Sequence, residues 1–214
     1  MLKLYNDELS GNCYKLRLFM ALLDLPFERL PVNFHPNKEH KGHALLRLNP
    51  FGQLPVIDDH GYVLRDAQAI LVYLATRYDP QQGWLPGDPE IRGRVALWMA
   101  VAEDITRSAS AARLHDAFGY DYDVKACRDA AHRLFAHIED HLADGEVQGQ
   151  LWLAGPRATI ADIACFPYIA LAPEGGIPLH RYPAMRRWIQ RIKALPRFGG
   201  MPGIFALGVD PAPI

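Results

Sequence analysis

Within the six residues SGNCYK, Ser10 to Lys15, stand a hydroxyl, an amide, a thiol and an ammonium. A cysteine thiolate attacks directly, whereas a serine hydroxyl or an asparagine amide donates a hydrogen bond to a sulfur anion held beside it. Two further stretches carry groups of use to a ligand. In NPFGQLPV, Asn49 to Val56, turn residues precede Pro55 at a strand entrance, where it can supply no ladder hydrogen bond. A cis Leu54–Pro55 bond would leave the Leu54 N–H and C=O free to pair with an extended ligand, although the base rate favours trans. In RDAQAI, Arg65 to Ile70, Asp66 is a good N-cap, and the free N–H groups of the helix it opens suit a carboxylate. Taken singly, each stretch also has a plain structural explanation: a buried cysteine, a strand-entry proline, a helix cap.

The elements that must position these groups are legible in outline. Leu2 to Tyr5 has strand character, Tyr14 to Leu25 is an apolar-rich helix ended by Pro26, and Glu28 to Val32 is a second strand. This β-α-β opening implies two parallel neighbouring strands. A helical or irregular segment follows from about Lys38 to Leu48. Leu54 to Ile57 and Tyr62 to Leu64 flank the hairpin turn Asp58 to Gly61, and Ala67 to Tyr78 is a helix. PQQGWLPGDP, Pro80 to Pro89, lacks periodicity and is a linker. Everything after it is helical: one long helix within Glu90 to Phe118, then Val124 to Ala143, Ile160 to Ala172 and Pro183 to Ala194. The chain divides into a mixed α/β unit over residues 1–79, a linker over 80–89 and an all-helical unit over 90–214. A cleft between two such units is where small-molecule sites commonly lie.

Bulk properties restrict the partners. Half of the 214 residues are hydrophobic, enough for a sizeable core, and 23 Lys and Arg nearly balance 24 Asp and Glu. With no basic run interleaved with aromatics, nucleic acid is not an expected partner. Cys13, Cys127 and Cys165 form no CxxC pair, so neither a disulfide framework nor a metal site is expected, and a reducing compartment fits. No stretch reaches the length of a membrane span and MLKLYND is not a leader, so the expected location is the cytoplasm, away from membranes.

The order of motifs is more specific than any one of them. LKLY, SGNCYKLRLFMALLDLPFE, NPFGQLPVID and LRDAQAILVYLATRY, then a linker and a helical unit, resemble the soluble glutathione S-transferase superfamily. LAGPRATIADIA supports this, with Thr159 and Asp162 at the spacing of that family's capping box. The resemblance implies a thioredoxin-like α/β domain that binds glutathione as co-substrate, with no tightly bound cofactor. It also implies an all-α domain that contributes the pocket for an electrophilic, often apolar small molecule, and a homodimer. By position, Leu54 precedes the family's cis-proline, Pro55, and pairs with the cysteinyl part of glutathione. Asp66 and the Ala67 N–H hold the γ-glutamyl end, while Gln53, with Lys38 or His40, faces the glycyl carboxylate. Ala67 replaces a serine common in the family, and Gln68 is a possible substitute donor.

Three readings of SGNCYK follow from the resemblance. Aligned without gaps against serine-type classes such as zeta and delta, Ser10 donates to the thiolate. A one-residue shift matches GNC to the GAC of beta-class members and makes Cys13 a thiol for mixed-disulfide chemistry. A third makes Asn12 the donor. The gap-free alignment favours Ser10. Tyr14 and Lys15 then belong to the helix surface or the domain interface. Arg107, Ser108, Arg113 and His115 on the long helix are candidates for polar contacts with the electrophile. The Pro- and Gly-rich tail GGMPGIFALGVDPAPI either folds over the pocket or lies disordered. A non-catalytic binding module on the same fold is the remaining alternative.

Overall fold

The computed structural model describes residues 1–34 and 36–207. Strand β1 (Leu2–Asn6) leads into helix α1 (Gly11–Leu22) and strand β2 (Glu28–Pro31), which lies parallel to β1. A short 3-10 turn, Glu39–Lys41, and helix α2 (His43–Leu48) precede β3 (Val56–Asp59) and β4 (Tyr62–Arg65). The hairpin turns on His60 and Gly61, both at positive φ, which matches the twist of the strands it joins. Sheet order is β2-β1-β3-β4, with β3 antiparallel to both neighbours. Helix α3 (Ala67–Tyr78) completes a thioredoxin-like unit.

The rest is helical: α4 (Pro89–Ile105), a π-helical turn (Thr106–Ser110), α5 (Ala111–Phe118), α6 (Val124–Val147), α7 (Ile160–Ala170) and α8 (Pro183–Lys193). The expected single helix from Glu90 to Phe118 is therefore interrupted, because the π turn inserts an extra residue into the helical path. Helix α6 also runs four residues beyond its expected end at Ala143. Among the described residues no helix is long and apolar enough to cross a membrane.

One apolar core runs from the sheet through α1 and α3 into α4 and α7, including Leu4, Phe19, Ile70, Trp98, Phe166 and Trp188. Helix α1 is consequently buried on nearly every side, and of the two places expected for Tyr14 and Lys15 it is the interface with the helical unit that holds both, not the helix surface. Tyr14 donates from its hydroxyl to the Gly199 carbonyl at 2.7 Å. Met201 and Ile204 are buried as well. The near part of the tail thus packs beside α1, away from the residues that line the cleft between the two units, while residues 208–214 lie outside the described residues.

At the start of α7, Asp162 is fully buried and closes the expected capping box. Its carboxylate accepts from the Thr159 N–H at 2.9 Å and the Thr159 hydroxyl at 3.2 Å. It also accepts from the Leu153 N–H at 3.1 Å and the Trp188 indole at 2.9 Å. Burial raises its pKa, against which these four donors act.

Candidate active site

A cleft of about 580 Å³ opens between the α/β unit and the helical unit. Ser10 stands at its edge as the N-cap of α1, its Oγ accepting the Cys13 N–H at 3.2 Å. The same hydroxyl is hydrogen-bonded to the Cys13 side chain, a weak acceptor that a ligand thiolate in the cleft can replace. The loop that carries Ser10 is pinned from both units. Arg17 on α1 donates to the Asn6 side chain, to the Asp7 carbonyl at 3.0 Å and to the Glu8 carbonyl at 2.9 Å. Arg113 on α5 donates to the Leu9 carbonyl at 2.9 Å and pairs with Glu174 at 2.5 Å. Arg113 was a candidate for the electrophile pocket; much of its guanidinium is instead committed to this loop and to Glu174.

Asn12 lines the cleft beside Ser10, and its Oδ1 is buried without a partner. Its N–H donates to the Tyr168 hydroxyl at 3.2 Å. Cys13 faces the other way. It is 0% exposed, does not line the cleft, and accepts the Asp7 N–H at its sulfur. Burial pushes its thiol up to about 11, the reverse of what a reactive thiolate needs.

Gln53, Leu54 and Pro55 form the next stretch of wall, and the Leu54–Pro55 bond is cis. Asn49, buried beneath this turn, holds it by donating to the Gln53 carbonyl at 2.8 Å and accepting the Phe51 N–H at 3.1 Å. Asp66 adjoins, at φ 76, a strained setting for a residue with a Cβ and one found where a backbone must present a group. Its carboxylate caps Ala69 at 2.9 Å, and the Ala67 and Gln68 N–H groups of the first turn have no partner within the helix.

Some expected contacts are displaced. Gln68 turns from the cleft to donate to Glu103, so it does not replace the missing serine hydroxyl at position 67. Neither Lys38 nor His40 lines the cleft: His40 is buried behind Phe34, their rings stacked at 3.7 Å. Burial also lowers the His40 pKa, which keeps it neutral. Arg107 does line the cleft, exposed and 3.6 Å from Asp104. His115 does not. It is hydrogen-bonded to Asp116, while Leu114 and Phe118 of the same helix face the cleft.

Sequence reading missed several contributors, among them Glu103 from α4, Tyr168 from α7, and the aromatic end formed by Tyr120 and Tyr122, whose rings stack at 6.4 Å. Glu103 left no local sign, because it lies off the apolar stripe of α4, where a charged residue is ordinary. Gly11 explains how Tyr168 reaches the site, because any Cβ there would stand 2.5 Å from its ring.

Comparison with known proteins agrees with this geometry. A family model described as the glutathione S-transferase N-terminal domain matches residues 9–77, and one described as the C-terminal domain matches residues 108–191. The maleylacetoacetate isomerase of Pseudomonas aeruginosa is 32% identical over 205 residues, spanning 92% of this chain and 93% of that protein. Glutathione S-transferase theta-1 of Mus musculus is 28% identical over 201 residues, or 91% and 83% of the two chains. The crystal structure of a glutathione S-transferase from Pseudomonas fluorescens superposes with a TM-score of 0.85 at 30% identity, covering 94% of this chain and 98% of that one. With the cis-proline wall, the capped α1 and the helical unit that closes the cleft, these similarities place the chain in the glutathione S-transferase family.

Proposed function

We propose that this chain binds glutathione in the cleft, holds it as the thiolate with the Ser10 hydroxyl, and adds it to an electrophilic small molecule. The observation that carries the proposal is the Ser10 hydroxyl, which lines the cleft at the N-terminus of α1 together with Leu54 and the first turn of α3. A free thiol has a pKa of about 8.5, and a hydroxyl donor beside a helix N-terminus stabilises its anion. In this reading residues 1–79 bind glutathione and residues 90–214 contribute the electrophile pocket. Leu54 pairs with the cysteinyl backbone, Gln53 meets the glycyl end, and Asp66 with the Ala67 N–H holds the γ-glutamyl end. Glu103 lines that end too, so two carboxylates are available to its ammonium group. Arg107 lies on the electrophile side. Burial of Cys13 argues against the mixed-disulfide alternative.

Exposed apolar side chains at Phe51, Tyr62, Val63, Val72 and Leu97 support a homodimer, with a second copy covering them. Three free thiols are consistent with the cytoplasm.

The test is a difference ultraviolet titration with glutathione at neutral pH. A saturable thiolate band is expected in the wild type and is expected to vanish in Ser10→Ala. A band that persists in Ser10→Ala and disappears in Cys13→Ser would transfer the role to Cys13. Failure of glutathione to bind at millimolar concentration, checked by calorimetry, would leave a non-catalytic binding module.

A further inference from the structure

Three consecutive carbonyls of the loop that ends at Ser10 are held by guanidinium groups. Arg17 takes those of Asp7 and Glu8 from within the α/β unit, at 3.0 and 2.9 Å, whereas that of Leu9 is taken by Arg113 from the helical unit at 2.9 Å. The Leu9 side chain is 41% exposed, so its carbonyl, and not its packing, anchors this residue. Leu9 C=O and Ser10 N–H belong to one rigid peptide plane. Arg113 holds that plane at its oxygen, and the N–H at its other edge donates to the Asp7 carbonyl at 3.3 Å. A plane held at both edges fixes the Ser10 Cα, and the cap that Ser10 makes on α1 fixes its backbone angles, so the direction of its Cα–Cβ bond is set. Arg113 is itself confined. It is 4% exposed, its Nε donates to Glu174 at 2.5 Å, and its guanidinium lies 5.1 Å from the centre of the Phe118 ring. Glu174 belongs to the 3-10 turn Ala172–Gly175, which approaches α5 so closely that a Cβ at Gly175 would stand 2.6 Å from the Arg113 backbone nitrogen. Gly203 of the tail, at positive φ, closes the other side of the Glu174 carboxylate, where a Cβ would stand 2.1 Å from Oε1. A planar fork committed to a carboxylate on one edge and a carbonyl on another has little freedom to turn.

We propose that Arg113 is a positioning residue for the thiolate donor: through the Leu9–Ser10 peptide it aims the Ser10 hydroxyl at the sulfur of glutathione, so that docking of the helical unit sets the acidity of the bound thiol. The inference rests on the glutathione reading above. Arg113 acts through Ser10 and not on the ligand. A hydrogen bond weakens steeply as it bends, and one to a sulfur anion is charge-assisted, so a small rotation of the peptide plane forfeits much of its hold on the thiolate. A lysine at this position would be a point donor, unable to span Glu174 and the Leu9 carbonyl in one fixed geometry. The helical unit thereby helps to make the nucleophile as well as the pocket for the electrophile.

The experiment reads the thiol directly and needs no electrophile. Bound glutathione is titrated by its thiolate band from about pH 6 to about pH 10 in the wild type, Arg113→Gln, Ser10→Ala and the double variant. Arg113→Gln is expected to move the thiol pKa upward by about one pH unit, and to add nothing once Ser10 is already alanine. Affinity for S-methylglutathione, which has no thiol to ionise, is expected to change by less than about threefold. Asp7, Asp66, Glu103 and Arg107 line the same cleft and Lys15 and Cys13 are buried in α1; all are common to the proteins compared, so their effects cancel. An unmoved pKa in Arg113→Gln would overturn the proposal. So would an equal rise in the Ser10→Ala background, which would mean that the guanidinium charge acts on sulfur directly. A larger loss of S-methylglutathione affinity would also overturn it, reducing Arg113 to a general support of the cleft. If Arg113→Gln does not fold, Arg113→Lys keeps a charge beside Glu174 but reaches one acceptor at a time; a smaller rise in the same direction is expected, and an unmoved pKa would overturn the idea. Each of these contrary results sinks this inference alone. Absence of the thiolate band in the wild type sinks the glutathione reading as well.

Discussion

Lys15 is a buried cation with no hydrogen-bond acceptor among the described residues. It is 0% exposed, its ammonium is unpartnered, and the Tyr168 ring lies 5.5 Å away. Burial lowers its pKa from the usual 10.5 to about 8, partly offset by the Glu103 and Asp66 carboxylates. A lysine whose folded pKa lies below its unfolded value binds fewer protons when folded. Stability therefore rises with pH between about 8 and 10.5, and the full cost is present at pH 7. Lys15→Met is expected to raise stability at pH 7 by about 3 kcal/mol at most, with the gain shrinking toward pH 10. Urea titrations of both proteins across this range test it; Cys13, which acts in the opposite sense at high pH, is common to both and cancels. A loss of stability at pH 7 would mean that the ammonium is paired in solution. Ser10, Asp66 and Pro55 were legible in the sequence because caps and strand-entry prolines act on their immediate neighbours. Tyr168 was not, since its partner Asn12 lies 156 positions away, and nor was the Arg113 contact with Leu9, 104 positions away.

At the scale of elements, α7 is held at its first turn. Asp162→Ala would strip four donors of their acceptor, two of them backbone N–H groups and one the Trp188 indole that ties α8 to α7. The expected loss is about 3 kcal/mol or more in chemical denaturation, with Asp162→Asn losing less because it keeps an acceptor oxygen. A change of under about 0.5 kcal/mol in Asp162→Ala would show that water replaces the carboxylate. This helix was readable because Thr159 and Asp162 stand three residues apart, a spacing that needs no tertiary knowledge. Helix α3 was readable from its cap in the same way. The break between α4 and α5 was not: a π turn uses ordinary helix formers and only slips the phase of the apolar stripe. His115 was assigned to the pocket as part of the helix that lines it; the lining runs through Glu103, Arg107, Ser110, Leu114 and Phe118, every three or four residues, and passes His115 by.

Across the whole molecule, the change from alternating strands and helices to helices alone announced two units and a cleft between them. Which side chains fill the cleft depends on how the units dock, and no local pattern encodes that. The exposed apolar side chains of Phe51 and Leu97 belong to this scale. Light scattering at micromolar concentration is expected to give a dimer for the wild type and a monomer for the double variant Phe51→Ser, Leu97→Glu, while a monomeric wild type would end the dimer proposal. The π turn at Thr106–Ser110 reaches further than any single contact. It stores one extra residue: losing a residue there would return the path to plain α-helix with α5 facing as it does, whereas losing one from a regular turn of α5 would swing everything beyond it by about 100°. Phe118 would then leave the cleft with its identity intact, and His115 would be carried toward it. A lineage bearing such a turn keeps its pocket through a one-codon loss at that point, where the same loss elsewhere in the helix exchanges the pocket by rotation.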